Sequence, residues 1–180
     1  MDSPRSIATS RTYIPRQTSK GIVSLECLKI RFERVKAGKP VPDLSDLSRT
    51  YTSKPLVRVD NEILFGELAI LRSLKDEWNG VWVYAFHSRG GERKFWSSLE
   101  DRGCAKLPSH ALDLFEKIIA KNEGKLSGFS NVFAWKVRGD DYLFIEYKGK
   151  GDHANKNELK WIEAAISVGV KPEQLVIVTY

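Results

Sequence analysis

The apolar positions of the chain fall into short stretches whose spacing alternates between helical and extended periods. Leu25, Leu28, Phe32 and Val35 recur at helical spacing, with Gly38 and Pro40 as stops, and predict one amphipathic helix over about 21–37. Residues 1–20, rich in Ser, Thr, Arg and Pro, offer few apolar side chains against the entropy of ordering and predict a flexible arm. The proline-punctuated stretch 39–55 reads as a connector, so the expected organisation is a basic N-terminal arm with one helix over 1–55 and a domain over 56–180. In that domain Leu64, Leu68, Leu71, Leu74 and Trp78 form the stripe of a helix over 61–78 that Asn79-Gly80 ends, and a strand follows over 81–86. Leu112, Leu114, Phe115, Ile118 and Ile119 mark a second helix over 109–122. Strand-like runs at 131–137 and 142–148 flank Arg138-Gly139-Asp140-Asp141 and predict a hairpin. A helix over 156–168 and an apolar strand over 174–179 complete the order αβαββαβ. This predicts an α/β fold with a mixed central β-sheet flanked by helices.

Composition supports a packed core, with 42% hydrophobic residues, five Trp, six Tyr and eight Phe. The apolar runs are far shorter than a bilayer requires, which argues against a membrane-spanning chain. The first residues lack the apolar centre of a secretory signal, so the expected location is cytoplasmic, with a nucleoid-associated or phage-encoded setting open. Two cysteines, Cys27 and Cys104, argue against a disulfide scaffold or a Cys-based zinc knuckle. The net charge of +6 is unevenly spread. Residues 1–58 hold 12 Lys and Arg against 5 Asp and Glu, whereas 59–180 hold 17 against 18. A basic segment ahead of a near-neutral domain is able to attract phosphate backbones, and a solvated tail has the same composition.

The chemically conspicuous residues lie on the second strand of the predicted hairpin. Glu146 and Lys148, two apart, point to one face of the sheet while Ile145 and Tyr147 point to the other. A charged pair in so apolar a run is costly unless it is paired or used. A turn centred on Gly139-Asp140 would set Asn131 opposite Lys148 and within diagonal reach of Glu146. Glu67, with Ile63, Leu64, Ile70 and Leu71 as its helical neighbours, puts a carboxylate on the buried side of the first helix. Oxygen donors converging beside a lysine suit a hard divalent cation, Mg2+ or Mn2+, that holds a phosphate and an attacking water. The same residues read structurally as a surface Glu-Lys pair and a satisfied buried acid.

The ordered set GFSNVFAW, RGDD, LFIEYKGKGD and NELKW resembles the PD-(D/E)XK nuclease superfamily, and more narrowly its VRR-NUC family, over about residues 62–180. That family has a Gly-x-Pro-Asp strand, a turn, a strand ending Glu-Val-Lys-Gly, a Gly-Asp-type loop and a helix carrying Trp. Glu146 and Lys148 match the Glu-x-Lys element, residues 148–152 the loop, and Trp161 the helix aromatic. Where the family has Pro-Asp, this chain has Ser130-Asn131, whose amide lacks the charge that draws a hard dication. A deliberate Asp-to-Asn change, a relative that only binds, and a working variant all fit that departure.

The resemblance implies metal ligation by Glu146, Asn131 and the carbonyl of Tyr147, with Glu67 as an outer or second-metal acid and Lys148 beside water and phosphate. Lys150, His153, Lys156 and Lys160 flank that site, and Arg89, Arg93 and Lys94 accompany Phe95 and Trp96 in a predicted loop; these are the candidate DNA contacts. Solvated charge accounts for them equally well. His87, His110 and His153 have no metal-ligand spacing among themselves. The implied activity is a metal-dependent DNA endonuclease acting on branched or junction DNA as a homodimer, with a nuclease-like DNA-binding module without catalysis as the alternative.

Overall fold

The computed structural model describes residues 8–35, 56–74, 77–85, 93–98, 100–101, 103–125, 128, 130–149, 152 and 155–179. Its centre is a seven-stranded mixed sheet in the order β1-β2-β10-β9-β8-β6-β7. These strands are β1 (Ser10–Thr18), β2 (Gly21–Lys29), β6 (Trp78–Ala85), β7 (Arg93–Trp96), β8 (Val132–Lys136), β9 (Tyr142–Lys148) and β10 (Leu175–Thr179). β10 runs parallel to both β2 and β9, and the remaining pairs are antiparallel. A small second sheet joins β3 (Glu33–Arg34), β4 (Leu56–Val59) and β5 (Glu62–Phe65). The helices are α1 (Gly66–Ser73), α2 (Ser109–Lys121) and α3 (Lys156–Ser167). The expected α/β fold with a mixed sheet flanked by helices is the fold observed.

The alternation along β9 divides the core. Phe144 joins Phe133, Phe115, Trp161 and Ile162 in a cluster under α2 and α3, whereas Leu143 and Ile145 join Val132, Ala134, Ile70 and Leu74 under α1. On the first face Phe133 stacks on Phe144 across the hairpin at 4.6 Å between ring centroids, and Phe144 meets Trp161 of α3 at 5.2 Å. This aromatic column sets α3 over β9, so the first turn of the helix lies beside the C-terminal end of the strand. On the other face Gly66 opens α1 against the Tyr147 ring, so closely that a Cβ there would lie 2.0 Å from Tyr147 Cε1.

Several sequence expectations change. Residues 21–29 form β2, not a helix, and the flexible arm expected over 1–20 contains β1 from Ser10 onward. β2 lies between two other strands and buries Leu25, Glu26, Cys27 and Leu28 consecutively. A strand buried on both faces loses its two-residue alternation, and what remained matched a helical period. The hairpin therefore belongs to the central sheet, and no arm separates it from the domain expected over 56–180. The connector 39–55 lies outside the described residues.

The helix expected over 61–78 is limited to 66–73, because 56–65 form a hairpin turning at Asp60 (φ 50°) and Trp78 already belongs to β6, as do Asn79 and Gly80. The loop expected around Arg93 is partly strand β7. The order αβαββαβ is thus enriched in strands at its start. The hairpin 132–148, α2, α3 and β10 follow the sequence expectation closely.

Gly66→Ala drives a methyl group into the Tyr147 ring and is expected to lower the unfolding free energy by about 1–3 kcal/mol in urea titration. In a Tyr147→Ala background the same change should cost little, because the ring it meets is gone.

Candidate active site

The hairpin turn is longer than the sequence implies. Trp135 pairs with Tyr142 and Lys136 N–H donates to Asp141 O at 3.0 Å, so the register sets Val132 opposite Ile145. Asn131, one residue before Val132, therefore falls level with Glu146; the expectation that it faces Lys148 is displaced by two residues along the strand. Asp140 and Asp141 lie exposed at the turn, the far end of the hairpin from Glu146 and Lys148.

The segment ahead of β8 is shaped to meet this strand end. Ser130 adopts φ 87°, a left-handed conformation uncommon outside glycine, and its N–H donates to Glu146 Oε2 at 3.0 Å. The Ser130 hydroxyl donates to Val132 O at 2.8 Å. Asn131 Oδ1 accepts from the backbone N–H of Tyr147 at 2.8 Å. Gly128 is pressed against α3, where a Cβ would come within 2.9 Å of Asn157 O.

Lys148 is held between two acids. Its Nζ lies 3.2 Å from Glu146 Oε1 and donates a short hydrogen bond to Glu158 Oε1. All three side chains are withdrawn from water, with exposures of 12% for Lys148, 8% for Glu146 and 4% for Glu158. Glu158 comes from the first turn of α3, where Asn155 caps the helix by accepting from Asn157 N and Glu158 N and donates its Nδ2–H to Glu158 Oε1 at 3.1 Å. Burial pushes the Glu146 carboxyl up to about 7; the charge of Lys148 opposes that shift and the charge of Glu158 adds to it. Burial also works against the Lys148 ammonium, yet the hydrogen bond to Glu158 and the charges of both acids hold it above the ordinary lysine range. Lys148 is therefore a cation at neutral pH.

Other expected residues are placed less centrally. Glu67 is buried at 4% exposure on α1, next to Gly66, so its helix packs on the Tyr147 face while Glu146 and Lys148 point to the α3 face. Lys156 and Lys160 are exposed on α3, and Lys160 Nζ lies 3.7 Å from Glu123. Arg93 and Lys94 lie on β7, whose register with β6 and β8 puts them at the same end of the sheet as Asn131, three strand spacings or roughly 14 Å from β9. Arg89, Lys150 and His153 lie outside the described residues.

The sequence reading missed Glu158 and Asn155. The signal was present, since Trp161 and Ile162, both buried, stand three and four residues after Glu158 and mark the same helix face. The same pattern had singled out Glu67.

Residues 87–175 match the VRR-NUC domain, a span that contains β7, the hairpin, α3 and the buried trio. The chain carries a VRR-NUC domain. The VRR-NUC domain belongs to the PD-(D/E)XK nuclease superfamily, whose members typically use divalent metals, and it indicates a nuclease-type function on DNA. No curated protein and no solved structure matches the chain.

The donor set of the VRR-NUC domain fits a hard cation at Glu146. A buried carboxylate whose ionisation is held back by desolvation gains most when a cation joins it, and a neutral carbonyl oxygen, Asn131 Oδ1, stands just ahead of the adjoining strand β8, level with it. Among the described residues no three acidic, histidine or cysteine side chains gather as a cluster able to hold a metal, so neutral oxygens have to complete any shell.

The ionisation of Glu146 has a stability consequence. Its carboxyl titrates near 4.5 when unfolded and near 7 when folded, so between these values the folded state binds the proton more tightly and stability falls as pH rises. Lys148 is protonated in both states across that window. Glu146→Gln should gain stability relative to the wild type between pH 5 and 7.5, by at most about 3 kcal/mol, in paired chemical-denaturation curves. A constant difference across that range would refute the assignment.

Proposed function

We propose that this VRR-NUC protein is a metal-dependent DNA endonuclease that hydrolyses phosphodiester bonds with Glu146 and Lys148 at its centre. The observation that carries the reading is the buried Glu146–Lys148–Glu158 trio at the strand end inside the matched domain. Three buried charges are expensive to maintain for stability alone, since ion pairs of this kind seldom repay their desolvation. Glu146 would hold the cation with Asn131 and the Tyr147 carbonyl, and Glu67 would act as an outer acid from α1, which packs against Tyr147 on the other face of β9. The cation, Mg2+ or Mn2+, would supply Lewis acidity toward water and phosphate. Lys148, cationic at neutral pH, would offset phosphate charge and orient the attacking water as a hydrogen-bond donor.

The DNA would pass over the end of the sheet that holds Lys148 and Asn131 and at which the backbone positions of Arg93 and Lys94 fall in register. Lys29, exposed on β2, aligns with this end through Thr179, which pairs with both Lys29 and Lys148. The loop residues Arg89, Lys150 and His153 and the exposed Lys156 and Lys160 of α3 complete the proposed contact set. Branched or junction DNA and a homodimer are the substrate and assembly this reading carries forward from the family resemblance.

Asn131 favours a second reading. With a neutral side chain there and its Oδ1 bonded to Tyr147 N, the domain would bind DNA without cutting it. The deciding assay incubates the wild type, Asn131→Asp and Lys148→Ala with supercoiled, flapped and four-way-junction DNA under Mg2+, Mn2+ or chelator. Metal-dependent cleavage by the wild type or Asn131→Asp that drops by at least about 100-fold in the corresponding Lys148→Ala protein is expected of a nuclease. Salt-sensitive binding with no cleavage by either would establish the binding module instead.

A further inference from the structure

We propose that Glu158 is the second acid of this centre and supplies the negative charge that position 131 lacks. The inference rests on the nuclease-type metal reading of the same site, and deepens it by naming where the charge resides. Glu146 and Glu158 come from different elements, β9 and α3, yet both aim an Oε1 atom at one point. That point is held by a cation, the ammonium of Lys148. Glu158 is buried and reaches its position because the Phe133–Phe144–Trp161 column seats α3 on the hairpin, while Asn155 both caps the helix and donates to Glu158 Oε1.

A helix acid with only a capping role needs none of this. The N-terminal turn of α3 stabilises a carboxylate wherever it projects, and a solvent-facing position would do so without desolvation. Glu158 instead faces inward against Lys148, within the same polar cluster as the Glu146 carboxylate. The charged groups joined by hydrogen bond or ion pair here are Glu146 and Lys148 from β9 and Glu158 from α3, the neighbouring polar groups from the Ser130–Asn131 segment are neutral, and among the described residues Asp152 stands nearby, accepting from Gly149 N. Two carboxylates and one ammonium are thus gathered in one place although position 131 is an amide. In the presence of a dication the second carboxylate would balance charge that Glu146 alone leaves uncompensated.

The test compares four full-length proteins, wild type, Glu158→Gln, Asn131→Asp and the double variant Asn131→Asp/Glu158→Gln, by calorimetric titration with Mn2+. Glu158→Gln keeps the shape of the side chain and removes its charge. It should weaken Mn2+ binding by about 10- to 100-fold, and adding Asn131→Asp should restore affinity to near the wild-type value. Circular dichroism of the metal-free proteins checks that each is folded, and a Glu158→Asp protein serves as a charge-retaining substitute if Glu158→Gln is not.

Wild-type affinity in Glu158→Gln, no rescue in the double variant, no Mn2+ binding by the wild type, or loss of binding in a folded Glu158→Asp as complete as charge removal would produce, would each overturn the proposal. Cleavage is scored separately. Charge-dependent Mn2+ binding without any DNA cleavage keeps Glu158 as the second acid and removes the nuclease reading. Cleavage that persists unchanged in Glu158→Gln keeps the nuclease reading and removes this role for Glu158.

Discussion

Three charges share a space from which water is nearly excluded, and the arrangement of the hairpin and α3 depends on keeping them together. Lys148 has little solvent to lean on and is held by Glu146 on its own strand and Glu158 on the facing helix. Removing either acid leaves a buried cation less compensated, and removing the lysine leaves two buried carboxylates beside each other. The surrounding features serve this packing. The Ser130 backbone is turned to donate to Glu146, Asn131 bridges to Tyr147 N, and the aromatic column fixes the height of α3. Both Glu146 and Lys148 hold their protons more firmly than usual, as expected where desolvation and mutual charge compete.

The second half of the fold was largely legible in the sequence because its elements are locally unambiguous. β9 alternates cleanly, α3 has a capping Asn and a buried stripe, and the turn residues at 138–141 stand between two apolar runs. The N-terminal half was not legible, because β2 is buried on both faces over Leu25–Leu28 and loses its alternation there, while the Leu25 and Leu28 spacing imitates a helix turn. The register of the hairpin slipped by two because turn chemistry names the residues of a loop more readily than its length. Of the site, Glu146 and Lys148 were visible as charges in an apolar strand. Glu158 was hidden by appearing to be an ordinary acid in the first turn of a helix, a position where carboxylates are favoured for reasons unrelated to any site.

The topology gives the N-terminal segment a place in the account. Ser10, Lys29, Thr179 and Lys148 align across four consecutive strands, so the basic first part of the chain enters the sheet at the end that holds the trio. Glu26, buried on β2, is matched by Arg11 of β1 at 3.0 Å, which lets an acid sit in a strand flanked on both sides. Among the described basic residues of the N-terminal segment, Lys29 lies at the end that holds the trio, whereas Arg16 and Lys20 lie near the β1–β2 turn at the opposite end.

The central claim is that the carboxylate at the end of β9 is the cation-binding point of the protein. Anomalous diffraction from crystals of the full chain soaked in Mn2+ tests it most directly. The account predicts a manganese peak in direct contact with the Glu146 carboxylate that vanishes in Glu146→Gln crystals treated identically. Well-occupied manganese elsewhere on the chain, with none at Glu146, would contradict it.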